Sequence, residues 1–210
     1  MRKLKCIPIS LLIILSSYSF SEISAPSEMQ WGQSQSDLKR SGLSITDCKK
    51  SGELEYCLAS GHDKPISFAE AYYLYFIPNY GLQKVLVIGE NITGDVYGSE
   101  GKTNYKNVKN SLMKKYPEAD GYKHTAFEYI GRKLYDESDE FYQCLKYDGC
   151  GSWQTFIGAE NDDALGYFIV ELKGSSRGTG YINLTYESSN WGKYLDEMKN
   201  KESARDDEAF

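Results

Sequence analysis

The hydrophobic pattern of this chain changes period several times, and each change marks a new element. Trp31-Gly32 precedes the serines Ser34 and Ser36 and a short run, Asp37 to Ser41, that ends at Gly42; Ser at the start and Gly past the end are helix punctuation. Two short segments follow, Leu43 to Lys49 and Leu54 to Ala59, around the turn residues Ser51-Gly52. From Ala69 to Ile77 the chain is crowded with Tyr and Phe, and Leu82 to Ile88 alternates Leu82, Lys84, Leu86 and Ile88 against Gln83, Val85 and Val87. Pro78-Asn79-Tyr80-Gly81 between them is turn chemistry, so the two runs read as antiparallel strands.

The period then lengthens. Tyr105, Val108, Leu112 and Tyr116 share one helical face over Thr103 to Tyr116, and Pro117 ends that helix. Phe127, Ile130 and Leu134 predict a second helix over His124 to Leu134, and Phe141 with Leu145 a third over Ser138 to Lys146. Asp148-Gly149-Cys150-Gly151 makes a corner. Three strands come next: Trp153 to Ile157, Leu165 to Leu172, and Tyr181 to Glu187. A last helix over Trp191 to Asn200 leads into a charged tail, 201–210, expected to be flexible.

The predicted order is helix, four strands, helices, three strands, helix. Strands joined by tight turns run antiparallel, because parallel neighbours need long crossovers. The expected fold is therefore α+β: a single domain over 31–200, a mainly antiparallel sheet with helices packed on one face.

The N-terminus changes the picture of where this domain works. Arg2, Lys3 and Lys5 precede an apolar run from Ile7 to Leu15, and Ser19 and Ser21 flank Phe20. This is the pattern of a secretion signal cut after Ser21, followed by a flexible leader over 22–30. The apolar run falls short of the roughly 20 residues that span a bilayer, so no membrane insertion is expected after cleavage. Removing three cations and no acid takes the formal net charge from −6 to −9. Such a surface repels phosphate backbones, which argues against nucleic acid, and suits a basic protein partner.

Four cysteines remain after the cut: Cys48, Cys57, Cys144 and Cys150. An even count in an exported chain favours two disulfides, with three connectivities open. A hairpin centred between Gly52 and Glu53 sets Cys48 opposite Cys57, which favours the local pairs Cys48–Cys57 and Cys144–Cys150. The spacings do not match zinc clips, and no metal or cofactor is expected.

The segment Asp95-Val96-Tyr97-Gly98-Ser99-Glu100-Gly101-Lys102 with the helix after it, the opening Trp31-Gly32, the stretch Cys144 to Trp153, and Gly180 to Glu187 with Trp191 together resemble a family of uncharacterised small secreted proteins of Gram-negative bacteria. The resemblance spans nearly all of the chain after the signal. It implies export and a single domain, and it transfers no activity to any residue.

Candidate chemistry is sparse. His62 lies in a loop by composition and His124 at a helix start, and no G-x-S-x-G elbow supplies a nucleophile for either. Gly98 to Thr103 ends like a phosphate loop, but the first glycine of that motif would fall at Val96. Asp136 to Glu140 reads as acids at a helix start. Glu160 to Asp163 reads as a turn that lacks the calcium-loop pattern.

Tyrosine is the surplus. Of the chain's 18, only Tyr18 lies in the signal, and they are densest at Tyr72, Tyr73 and Tyr75, with Tyr80 in the turn. Alternation points Tyr72 to the face opposite Tyr73 and Tyr75. Tyr offers contact area and a hydroxyl at small entropic cost, so these four are the candidate binding residues. The reading that follows is a non-catalytic, disulfide-bonded interaction protein of the periplasm or exterior, such as an immunity or inhibitor protein against a secreted hydrolase. Two alternatives compete with it. One is a cell-wall or glycan hydrolase using Glu128 or Asp139 with Glu160; the other is a structural domain of the envelope.

Overall fold

The structure is a computed structural model and describes residues 22–131, 137–159 and 166–209, with side chains to 205. It is α+β, as the pattern predicts. One antiparallel sheet of nine strands runs through the molecule, in the order β1-β2-β3-β4-β9-β8-β7-β6, with the two-residue β5 paired to β9 beside the end of β4.

The first half is a meander of β1 (Ser44–Ser51), β2 (Leu54–Ser60), β3 (Ala69–Ile77) and β4 (Gly81–Gly89). The second is β6 (Tyr122–Ile130), β7 (Gly151–Ala159), β8 (Tyr167–Ser176) and β9 (Thr179–Glu187). The last strand of each meander pairs with the other, Val85 against Tyr186 and Val87 against Leu184, so the halves meet at the centre of one sheet. The connection between them carries β5 (Ile92–Thr93) and the helix α2 (Ser99–Lys115). The two halves thus repeat a topology that shares no sequence motif.

Register sorts the side chains. Cys57, Leu74 and Val85 are successive partners across β2, β3 and β4, and Val85 continues to Tyr186 and Phe168. All five are buried, and with Tyr72, Val87, Leu184, Val170 and Ile157 they form the core. On this covered face lie α2, α1 (Gln35–Arg40) through Leu38, and α3 (Phe141–Lys146). Tyr116, at the end of α2, packs its ring 5.1 Å from Phe168. Tyr105 of α2 shares a buried hydroxyl contact with Thr155.

Expectations for three segments are corrected. Residues 22–30 are packed rather than a loose leader: Ile23 is fully buried, Ala25 and Met29 nearly so, and the Trp31 indole donates to the Ile23 carbonyl at 2.6 Å. Sequence polarity hid this, because Ile23, Ala25, Pro26 and Met29 turn inward between the polar residues Glu22, Ser24, Ser27, Glu28 and Gln30. The segment beginning at His124 is the strand β6, not a helix. Its inward side interrupts Tyr122, Ala126 and Ile130 with His124 and Glu128, so the apolar alternation that marks a strand is broken.

The final helix α4 spans Ser189–Ala209, through what was expected as a loose tail. Unlike the other helices it starts on the far face of the sheet. There Trp191, 5% exposed, meets Tyr75 edge-on and lies under Lys84. The expected signal, residues 1–21, and the turn Asn161-Asp162-Asp163 lie outside the described residues. No helix among the described residues is long and apolar enough to cross a membrane.

Candidate functional site

The two disulfides form as the local pairing anticipates. Cys48–Cys57 staples β1 to β2, and Cys144–Cys150 ties α3 to the corner that starts β7. Among the described residues, the one grouping of metal-ligating side chains is Cys48, Glu55 and Cys57, and its two sulfurs are consumed in the disulfide. Among the described residues, neither bridge sits beside a nucleophile-base pair. Their effect is to stiffen the first hairpin and the corner after α3.

Alternation divides the tyrosines. Tyr72 pairs with Val87 on the covered face and is 4% exposed. Its hydroxyl accepts from the Ile66 amide at 2.7 Å and from the Ser27 hydroxyl, so it serves the core. Tyr73 and Tyr75 pair with Leu86 and Lys84 on the far face, where both are half-buried. Tyr56 stacks on Tyr75 with ring centroids 5.7 Å apart. Burial beside Tyr56 and Tyr73 raises the Tyr75 phenol above its ordinary range. Tyr80 stands 49% exposed in the β3–β4 turn.

The far face continues across the sheet. At its centre Lys84 donates to Glu187 at 2.7 Å and lies over the Trp191 ring at 4.8 Å. Asn183, two positions along from Thr185 on β9, donates to Glu171, which also meets Lys173 at 2.8 Å. Leu86, Ile88 and Ile169 flank this polar row. Beyond it Phe156 meets Phe127, and Phe127 and Tyr129 on the edge strand β6 are about half exposed, 45% and 51%. Sequence reading found Tyr73 and Tyr75 but missed Phe127 and Tyr129. The helical reading of β6 scattered their side chains around a cylinder, whereas a strand sets them two apart on one face.

The histidines are separate. The His62 ring lies tilted against Tyr72 with centroids 3.9 Å apart, and its ring nitrogens are buried without a hydrogen bond. That burial lowers its pKa and favours the neutral ring. His124 places Nε2 2.7 Å from the Tyr116 carbonyl oxygen, at the C-terminal end of α2. Two of the three carboxylates named for a hydrolase are ion-paired: Glu128 with Lys109 of α2, and Asp139 with Arg177 of the β8–β9 turn. Glu160 lies outside the described residues.

The loop resembling a phosphate cradle is built for another purpose. Asp95 turns its carboxylate onto the first turn of α2, accepting from the amides of Ser99 at 2.8 Å and Gly101 at 2.9 Å. The Tyr142 hydroxyl donates to the same carboxylate at 2.8 Å. Burial raises the Asp95 pKa, but these donors, with the Glu100 amide, outweigh it and hold the carboxyl below its usual range. Tyr142 reaches this point because Gly101 and Gly180 have no side chain; a Cβ on either would overlap its ring or hydroxyl. The helix N-terminus is thus already filled by the chain's own anion. No protein-family profile, no curated protein and no solved structure matches this chain.

Proposed function

We propose that this chain is an exported interaction protein that binds a basic protein partner through the far face of its sheet and performs no chemistry of its own. Export rests on the signal-like N-terminus together with the two disulfides, since such bonds persist in oxidising compartments. The observation that carries the binding reading is the aromatic side chains turned away from the core on either side of the polar row: Tyr56, Tyr73 and Tyr75 on β2 and β3, and Phe127 and Tyr129 on β6. A solvent-facing sheet surface ordinarily alternates to polar residues. Here it carries rings of the type that anchors protein interfaces. The net charge of −9 after signal removal, which is −6 less three cations, steers a basic partner toward the molecule. Periplasmic residence and an immunity or inhibitor role belong to the same reading.

The test is affinity capture from the native envelope fraction, with the chain immobilised in its oxidised form. Recovery of one basic protein at low ionic strength, weakening as salt rises, is the expected result. Absence of any recovered protein, or turnover of peptidoglycan or a chromogenic glycoside by the pure chain, would overturn the proposal.

A further inference from the structure

We infer that a cleft on the covered face, beside α2, is a second binding site, shaped for a basic amphipathic peptide segment. It is independent of the tyrosine face, because the sheet separates the two.

The cleft opens where α2 stands off from the end of β4 and from the loop before β3. Glu100, Asn104, Asn107, Val108 and Ser111 recur three or four residues apart, so α2 presents them on one side. That side, on which Val108 packs against the core, borders open space of about 400 Å³ and, contiguous with it through Phe68, Asn107 and Val108, a further 360 Å³ or so. Sites for small ligands and single side chains start at roughly 300 Å³. One end is polar, with Glu90, Asn91 and Thr93 facing Glu100 and Asn104 across it, over a floor of Phe68 and Ile182. The other end is apolar, walled by Ile66 and Leu112 and floored by Leu184 and Tyr186.

Charge selects the occupant. Among the described residues that line the cleft there is no lysine, arginine or histidine. Glu90 and Glu100 form no ion pair with another described residue. Anions are repelled from this mouth. A guanidinium or ammonium donates charge-assisted hydrogen bonds to the Glu90 and Glu100 carboxylates. An aliphatic side chain a few positions away on the same peptide fills the apolar end. A segment carrying both kinds of side chain satisfies both ends; a purely basic or purely apolar one satisfies only one.

The experiment titrates the oxidised chain with three octapeptides, alternating leucine with arginine, leucine with glutamate, and serine with arginine. Calorimetry gives affinity and amide chemical shifts give location. The leucine–arginine peptide is expected to bind, with shifts concentrated at Phe68, Asn104, Asn107 and Leu112. Glu90→Gln with Glu100→Gln should weaken it at least tenfold, while Tyr73→Ala with Tyr75→Ala leaves it unchanged. Equal binding of the serine–arginine or leucine–glutamate peptide, shifts at the far face, or indifference to the glutamine pair would each overturn the assignment. Capture of a native partner by both wild type and the glutamine pair leaves the tyrosine-face proposal standing whatever the fate of the cleft.

Discussion

Asp95 illustrates how a single side chain can be misread until its partners are known. In the sequence, Gly98 to Thr103 hints at a phosphate loop. In the fold the anion that the helix N-terminus attracts is Asp95 itself, held by two amides of α2 and by Tyr142. Its folded pKa is depressed, so its contribution is present above the unfolded value of about 3.9 and fades as pH falls through the folded value. Asp95→Asn should therefore cost about 1–2 kcal/mol at neutral pH, the range of a lost helix cap. Urea denaturation at pH 7 and pH 3 checks this: the gap between wild type and variant should narrow on the acid side. Alternation was legible at the same scale. That Tyr72 faces opposite to Tyr73 and Tyr75 follows from period two alone, and the structure shows that Tyr72 is the one turned inward. What the period could not tell is that Tyr75 would be half covered by Trp191, a contact between positions 116 residues apart in the chain.

At the scale of elements, strands with apolar inward positions were readable and those without were not. β3, β4, β8 and β9 bury Leu74, Val85, Val170 and Leu184 at every second position, and all four appear in the hydrophobic pattern. β6 escaped because its inward side mixes Tyr122, Ala126 and Ile130 with two polar residues satisfied from outside the strand, His124 by the Tyr116 carbonyl and Glu128 by Lys109. Pairing with β7 over nine residues, which no local signal encodes, makes it a strand. The first hairpin was placed correctly by Ser51-Gly52, and the bridge Cys48–Cys57 follows from it. Each disulfide closes a short loop, of sequence separation 9 and 6. Replacing both cysteines of one bridge by serine should cost about 2–3 kcal/mol from the entropy returned to the unfolded chain. Thermal melts of the Cys48–Cys57 and Cys144–Cys150 double variants measure this, and an unchanged midpoint in both would refute a stabilising role. Loss of Cys144–Cys150 should in addition loosen α3, visible as faster amide exchange at Tyr142 and Leu145.

At the scale of the whole molecule, the sheet divides labour between its two faces. The covered face buries the hydrophobic cluster and seats α1, α2 and α3. The far face carries the polar row of Lys84, Glu187, Asn183 and Glu171 bordered by aromatic rings, with α4 crossing only part of it. Fold class, the disulfide pairs and the outward tyrosines could be read from the sequence because each depends on local spacing. The joining of β4 to β9, the edge position of β6 and the cleft beside α2 depend on contacts between distant segments, so they could not. The central claim is that the far-face tyrosines hold a protein partner. It is tested most directly by the affinity of the captured partner for wild type and for Tyr73→Ala with Tyr75→Ala, compared in variants of equal melting temperature. The account predicts a loss of at least about tenfold, as for paired interface anchors. Undiminished affinity in the double variant would contradict it.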